Sequence, residues 1–347
     1  MTSRDEARRL VQGFREYQVI VAACKLKIPD LLAAGPATAD ELAAATQTRE
    51  PSMRRFLRGL VAIGAVAEQS GDRFAATEVL DFFRSDKPGL RNMALMLSEE
   101  AYRTWGHLTY SLRTGTPAFE HVFGKPRWEA LAGDPEAAAT FNAAMIEMTS
   151  RIAVDFVAAY DFTGVRTVAD IGGGNGALIT AVLEAHPEMR GVLFDLSQGL
   201  AGARDLIDAR GVGDRIELVE GSFFESVPRG ADLYLLKSII HDWDDERAEE
   251  ILRTSRGGMT AASRIVVIER LLPARNEASV AALEAVMSDL NMMVVLGGRE
   301  RTPDEYGALF AKTGLQMTRW LPAGASGWGI FEARPAADVR AEAPTSD

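Results

Sequence analysis

One segment of this 347-residue chain has glycines and acids in a pattern suited to holding a nucleotide-like molecule. It reads Val168-Ala-Asp-Ile-Gly-Gly-Gly-Asn-Gly176, with Gly172, Gly174 and Gly176 at alternate positions. Its residue pattern predicts a strand, a tight turn and then a helix. Glycines at such a turn allow positive φ and let a ligand press against the main chain. Asp195 ends Gly191-Val-Leu-Phe-Asp195, about 20 residues past the turn, the usual distance for an acid that meets ribose hydroxyls. Gly172, Gly174 and Ala177 also satisfy a relaxed dinucleotide pattern, a weak signal by itself. Asp170 points away from a pyrophosphate, which its carboxylate would repel, and toward a cationic cofactor. A second centre is His241, just past a later apolar strand, where imidazole is the natural base near neutrality. An imidazole base needs a partner to fix its tautomer and steady its cation. Glu269, ending Ile265-Val-Val-Ile-Glu269, and Glu300, after Gly297-Gly-Arg, are the candidates.

The elements that must position these residues differ between the two halves. Helical spacing of Leu10, Phe14, Tyr17, Ile20, Val21 and Cys24 predicts a helix over 4–26. Thr38-Ala-Asp-Glu41 is a capping-box pattern, and Pro51 opens a further helix carrying Arg54, Arg55 and Arg58. Apolar runs around Ser70-Gly-Asp predict a hairpin, completing a winged-helix order. From about 165, strands are predicted at 166–171, 190–195, 215–220, 231–237 and 263–269, mostly separated by helices. That alternation means a parallel sheet with helices on both faces. Residues 315–321 and 327–333 read as a hairpin closing the sheet edge. The expected division is a winged-helix dimerisation domain at 1–100, a helical connector and pocket roof at 101–160, a catalytic domain at 161–335 and a disordered tail at 336–347.

Composition narrows the classes. Apolar residues make up 47% of the chain, enough for sizeable cores, yet there is no run long enough to span a membrane. The N-terminus lacks the apolar stretch of a secretory signal, so a cytoplasmic setting is expected. The single cysteine, Cys24, permits no intrachain disulfide and no cysteine-rich zinc site. His107, His121, His186 and His241 are scattered, which speaks against a histidine-based metal site. A net charge of −11 argues against general affinity for nucleic acid and favours dimerisation over DNA binding for the winged-helix region.

Two motifs carry a resemblance. Asp170-x-Gly-x-Gly-x-Gly176 is similar to the first motif of class I methyltransferases that use S-adenosylmethionine. Leu236-Lys-Ser-Ile-Ile-His-Asp-Trp-Asp-Asp245 is more specific and resembles the signature of small-molecule O-methyltransferases, the family of plant caffeate and isoflavone enzymes and bacterial polyketide and phenazine tailoring enzymes. Phe119-Glu-His-Val-Phe-Gly-Lys-Pro-Arg-Trp-Glu129 and Gly297-Gly-Arg-Glu-Arg-Thr-Pro-Asp-Glu-Tyr306 extend the likeness over almost the whole chain. The resemblance implies an α/β fold with a Rossmann-like C-terminal sheet, and a homodimer formed through the N-terminal domain. It implies S-adenosyl-L-methionine as cofactor, S-adenosyl-L-homocysteine as product, and no metal.

Carried over by position, Asp170, Gly172 and Gly174 approach the methionine part of the cofactor. Asp195 with Leu196 holds the ribose. Gly221, Ser222 and Phe223 flank the adenine. Lys237 lies near the carboxylate end or the adenine rim, and Arg151 meets the methionine carboxylate. His241 is the base, flanked by Glu269 and Glu300 at the family's matching positions. It serves a phenol, whose pKa near 10 requires help in losing its proton. Asp242 supports the loop or caps the helix that follows, and counts among the substrate contacts. Met287 and Asn291, from a methionine-rich helix, and Trp105 and Phe119, from the helical half, are the further pocket candidates; Asn291 is placed to orient a phenol or a carbonyl. Divergence to hydroxylation, decarboxylation or N-methylation is the alternative chemistry. A winged-helix regulator that senses a small molecule is the non-enzyme alternative.

Overall fold

The computed structural model describes residues 2–273, 279–324 and 327–336. The expected disordered tail lies outside the described residues from 337 onward, as do Ala325 and Ser326 of the predicted hairpin loop. The chain forms two compact units, Met1–Arg103 with Asp134–Glu147, and Thr104–Gly133 with Met148–Asp347. The segment 101–160 is thus divided between them.

In the first unit, α1 (Ser3–Lys25) begins with a capping box in which Thr2 and Asp5 satisfy each other's backbone N–H. β1 (Ala37–Thr38) leads into α2 (Ala39–Thr46), where Thr38 and Glu41 form the second box as their spacing predicts. α3 (Glu50–Ala62) has Pro51 in its first turn, where a missing N–H costs nothing. The hairpin pairs β2 (Val66–Gln69) with β3 (Arg73–Ala76), and β1 adds on the other side of β3. Of the three arginines on α3, Arg54 is committed within the unit: it pairs with Glu50 and with Asp72 at the hairpin tip. Leu10, Val11 and Phe14 on α1 are 71%, 75% and 50% exposed, leaving an apolar face uncovered.

α4 (Pro135–Ala159) runs into the second unit. There the strands are β4 (Thr167–Ile171), β5 (Arg190–Asp195), β6 (Ile216–Glu220), β7 (Leu233–Lys237), β8 (Arg264–Arg270), β9 (Leu315–Ala323) and β10 (Trp328–Pro335). Their order is β6-β5-β4-β7-β8-β10-β9. The first five are parallel, as the alternation with helices predicts, and the terminal hairpin closes the β8 side antiparallel. Period-two alternation sends side chains to two cores. Val168, Leu193, Leu235, Val266 and Ile268 face one, and Ala169, Phe194, Leu236, Ile265 and Val267 face the other. Helix α5 (Ala177–Ala185) packs Ile179, Val182 and Leu183 into the first core. Helices α6 (Asp245–Gly258) and α8 (Pro303–Lys312) fill the second with Ile251, Leu252, Leu309 and Phe310. Helix α7 (Val280–Val295) precedes α8. Both faces being covered explains why β7 and β8 read as continuous apolar runs rather than alternating ones.

Strand order reverses between β4 and β7, which opens a crevice beyond their carboxyl ends. Leu235, at the centre of β7, is fully buried between neighbours on both sides. Leu235→Ala is expected to lower the unfolding free energy by about 2–5 kcal/mol, read as a lower urea midpoint.

Candidate active site

The crevice at this switch point gathers residues from four strand ends. β4 gives way to the glycine turn, where Gly172, Gly174 and Gly176 have φ of 69°, 60° and 86°. Only glycine adopts such angles without steric cost. Gly172 has a second constraint, because an added Cβ would lie 2.5 Å from Ile239 Cδ1 and 3.4 Å from the Phe223 ring. Asp170 is buried beneath the turn with Oδ2 unpartnered. Burial pushes its carboxyl up to about 7, with Lys237 pulling the other way. At the end of β5, Asp195 accepts from the Gly174 N–H at 2.8 Å and from the Leu196 N–H at 2.6 Å. Burial raises this acid as well.

β7 ends at Lys237, and Ser238 then takes a left-handed conformation with φ 56°. The bend turns three successive N–H groups, of Ile239, Ile240 and His241, onto Oε1 of Glu269 at 3.0, 2.9 and 3.3 Å. Successive amides arranged in this way form an anion nest. Glu269 comes from the adjacent strand β8 and is wholly buried. The short turn Ile240–Asp242 that carries His241 is fastened from its far side too. Arg301, also buried, donates to the carbonyls of Ile240 and Trp243 at 3.1 and 3.0 Å and to Asp245 at 2.7 Å. The Arg299 N–H donates to the His241 carbonyl at 2.9 Å. Gly298 must be glycine here, since an added Cβ would lie 2.0 Å from that same carbonyl oxygen.

The His241 ring is buried among three acids. Nδ1–H donates to Glu300 Oε1 at 2.9 Å and stands 3.3 Å from Glu269 Oε2. Nε2 is 3.4 Å from Asp242 Oδ1. Burial opposes a charge on the ring, but Glu269, Glu300 and Asp242 outweigh it and raise its pKa to about 10. Burial pushes Glu269 up to about 7 and Asp242 up to about 6, each against the pull of His241. Glu300 also feels burial, yet His241 and the Ser288 hydroxyl hold it below the ordinary glutamate value. These donor atoms of His241, Glu269 and Glu300 lie within 4.8 Å of one another, a set that could hold a metal by ligand type. The 2.9 Å contact is hydrogen-bond length, whereas two tetrahedral ligands about 2.0–2.2 Å from an ion stand farther apart, so the spacing suits a shared proton.

The remaining candidates are placed as follows. Lys237 is partly buried, donates to Thr149 Oγ1 at 2.8 Å and sits over the Trp328 ring. Burial lowers its pKa to about 8 although Glu269 and Asp170 favour the charge. The Gly221 N–H donates to the Asp195 carbonyl, Ser222 Oγ accepts from the Phe224 N–H, and Phe223 packs edge-on against Phe224. Trp105 Nε1–H donates to Asn291 Oδ1 at 3.0 Å, joining two pocket candidates. Leu196 and Met287 are each 44% exposed.

Two expectations, for Asp242 and Phe119, need correction. The helix after the His241 turn is capped by Asp244, which accepts from the Arg247 N–H, so Asp242 is free to face the imidazole. Phe119 is fully buried with Phe123, Val294 and Val295, because its helix packs that face against α7; it is core rather than open wall. Arg151 is exposed on α4 and makes no hydrogen bond or ion pair with the other candidates. Two residues bonded to this cluster were not foreseen: Arg301, which holds the imidazole turn, and Ser288, which holds Glu300. A polar residue in a helix and an arginine in a charged run carry no signal of burial, although Gly297-Gly-Arg beside Arg301 marked the segment.

Comparison with known proteins places the chain. Residues 105–316 match the model of an O-methyltransferase domain, and residues 8–86 match that of an O-methyltransferase dimerisation domain. The chain belongs to the O-methyltransferase family. It is 40% identical to the phenazine O-methyltransferase PhzM of Lysobacter antibioticus over 94% of this chain and 95% of that protein. It is 34% identical to an 8-amino-8-demethylriboflavin N,N-dimethyltransferase of Streptomyces davaonensis over 95% of this chain and 96% of that one. The solved mitomycin 7-O-methyltransferase MmcR superposes with a TM-score of 0.90 at 37% identity, covering 96% of this chain and 98% of that structure. NcsB1 of neocarzinostatin biosynthesis, solved with S-adenosylmethionine and 2-hydroxy-5-methyl naphthoic acid, gives 0.79 at 32% identity, covering 92% and 95%. The expected methyltransferase fold and its mainly helical dimerisation domain are thereby shown. Among the described residues no helix is long and apolar enough to cross a membrane.

The His241 cluster makes stability depend on pH. The folded-state pKa, about 10, lies above the ordinary value of 6.5, so the imidazolium stabilises fully below about 6.5 and that contribution fades as pH rises toward 10. The unfolding free energies of wild type and His241→Gln should therefore converge as the pH is raised from 6 to 10. A gap independent of pH would refute the assignment.

Proposed function

We propose that this enzyme transfers a methyl group from S-adenosyl-L-methionine to a hydroxyl of a small aromatic natural product, with His241 as general base. The observation that carries the reading is the imidazole itself. It is bound through Nδ1 to buried Glu300 at 2.9 Å, on a turn anchored by Glu269, beside the glycine turn of β4. The residues suit a cationic cofactor. Asp170 offers a buried carboxylate oxygen without a partner, and an added side chain at Gly174 would meet open space. Gly172, Gly174 and Asp170 would hold the methionine half, Asp195 with Leu196 the ribose, and Gly221, Ser222, Phe223 and Lys237 the adenine end. When bound, S-adenosyl-L-methionine would supply a methyl already activated on a sulfonium, with S-adenosyl-L-homocysteine as the by-product.

The protein's own task is to place and deprotonate the acceptor. Glu300 fixes the Nδ1–H tautomer, so Nε2 is the atom that takes the phenol proton. Asp242, 3.4 Å from Nε2, steadies the resulting imidazolium and borders the place of the hydroxyl. Asn291 refines the acceptor class. Indole N–H is donor only, so the Trp105 bond requires the amide oxygen of Asn291 to face Trp105. The NH₂ group is left to donate, which selects an acceptor molecule with a carbonyl-type oxygen on the ring system. Met287, on the same helix, adds adaptable apolar surface.

The exposed apolar face of α1, within the region matched by the dimerisation model, supports a homodimer formed through the N-terminal domain. The acidic net charge supports a protein that binds neither nucleic acid nor anionic membrane, and a cytoplasmic setting fits the single unpaired cysteine. N-methylation is the second reading, favoured by the N,N-dimethyltransferase among the relatives. An amine acceptor is nucleophilic without a base, so it makes less use of the buried His241–Glu300 pair.

Calorimetry should show S-adenosyl-L-methionine binding and little NAD binding; the reverse would sink the proposal. His241→Ala is expected to keep cofactor affinity and cut turnover of hydroxylated aromatics by roughly 10²–10⁴-fold. Because three acids favour the imidazolium, kcat/KM should rise with pH through a limb above 6.5, the ordinary histidine value. Asn291→Leu should raise KM about tenfold for hydroxylated ring carbonyls and leave simple phenols little changed. Equal effects on both classes would remove Asn291 from recognition of the carbonyl.

A further inference from the structure

Ser288 lies on α7 and reaches the Glu300 carboxylate. Its hydroxyl donates to Glu300 Oε1 at 2.7 Å, the same oxygen that receives His241 Nδ1–H at 2.9 Å. The other oxygen, Oε2, is buried and has no hydrogen-bond partner. The next residue on the helix, Asp289, accepts the Glu300 backbone N–H at 2.9 Å. Adjacent residues of one helix therefore hold both the main chain and the carboxylate of Glu300.

We infer that Ser288 is a positioning residue of the O-methyltransferase: its hydroxyl orients Glu300 and moderates the carboxylate's hold on the His241 proton. This rests on the reading of His241 as the base. A hydroxyl bonded to Oε1 draws charge from the very oxygen that faces the imidazole. Removing it leaves a buried carboxylate with one donor in place of two, and that carboxylate then holds the remaining proton more tightly. The carboxylate is also freed to rotate, since neither oxygen is fixed except by the imidazole. The other groups facing this pair stay in place. They are Glu269 and Arg270 from β8, Asp242 from the imidazole turn, Asp289 from α7, Arg301 from the segment entering α8 and Tyr306 from α8 itself.

Two measurements on full-length protein test this. The first is the NMR titration of the His241 ring, assigned by His241→Gln, without cofactor or substrate. The second is the pH profile of kcat with a hydroxylated aromatic. Ser288→Ala should raise the His241 pKa by half a unit or more on the order expected for one lost charge-assisted bond. It should shift the acid limb of kcat upward by a matching amount and leave KM for S-adenosyl-L-methionine unchanged. Ser288→Thr, which keeps the hydroxyl, should restore both. If Ser288→Ala fails to fold, Ser288→Cys, a weaker donor of similar size, should give a smaller shift of the same sign. An unmoved His241 titration in a folded Ser288→Ala protein overturns the inference, as does an equal loss in Ser288→Thr. If no hydroxyl acceptor is methylated yet the titration still shifts, the reaction assigned to the site fails and the role of Ser288 toward Glu300 stands.

Discussion

A single carboxylate oxygen organises the centre of this enzyme. Glu269 Oε1 collects the N–H groups of Ile239, Ile240 and His241, three donors that would otherwise be buried without acceptors where β7 ends. The left-handed bend at Ser238 is what makes the convergence possible. Such a conformation costs a residue with a Cβ about 1–3 kcal/mol and persists only where surrounding bonds over-determine it. Charge-assisted bonds to a buried anion are of that strength. Strand pairing completes the constraint: β7 and β8 run parallel with Lys237 opposite Ile268, so Glu269 is the first residue beyond the pair whose side chain can reach back over the β7 end. Removing the carboxylate would leave three amides unpaired and the bend at Ser238 unsupported. The role of Glu269 is thus as much architectural as electrostatic, whereas Glu300 makes the true hydrogen bond to the ring.

The charges around this turn are arranged with an excess of acid. Glu269, Glu300 and Asp242 surround one imidazole, and Asp170 lies near Lys237 at the foot of the same crevice. Burying so many carboxylates is unfavourable in isolation and is tolerable where each is bonded or faces a cation. Glu269 and Glu300 meet that condition within the protein. Asp170 has no imidazole beside it: its Oδ2 lacks a hydrogen-bond partner, and Lys237 with the backbone at Ile179 offsets the cost of its burial. A positively charged ligand at the glycine turn would supply what the fold leaves unbalanced. The same electrostatics disfavour a pyrophosphate, so the choice between the two cofactor classes rests on a residue of the scaffold as well as on the glycines.

How much of this was legible in the sequence depended on how local each feature is. Thr38 with Glu41, the glycine turn and the apolar runs of β7 and β8 act over a few residues, and they formed as their patterns predict. His241, Glu269 and Glu300 were legible as strand-end or loop residues of the right type, and the fold brings them together. Strand order is a tertiary property, so the insertion of β10 between β8 and β9 was not readable beyond the hairpin itself. Phe119 was misread because an aromatic on a short helix looks the same whether it lines a pocket or fills a core; packing against Val294 and Val295 decided it. Arg301 closes the charged run Arg299-Glu-Arg301, which reads as solvated surface, yet it is 1% exposed and holds two carbonyls of the imidazole turn. Arg151, a basic residue at a suggestive position, is exposed to solvent.

Helix α7 links features that would otherwise be separate. Within one turn it presents Ser288 to the Glu300 carboxylate, Asp289 to the Glu300 N–H and Asn291 to the Trp105 indole. Residues three apart on a helix share a face, so Ser288 and Asn291 are held in a fixed relation by the backbone itself. A displacement of α7 large enough to accommodate a different ring system at Asn291 would therefore carry Ser288 with it and alter the bond to Glu300. In the proposed reaction, recognition at Asn291 and proton transfer at His241 would then share one rigid element. On that proposal, a poor fit at the ring carbonyl would be felt at the imidazole as well as in affinity, which would let the site discriminate among flat aromatic molecules of similar area.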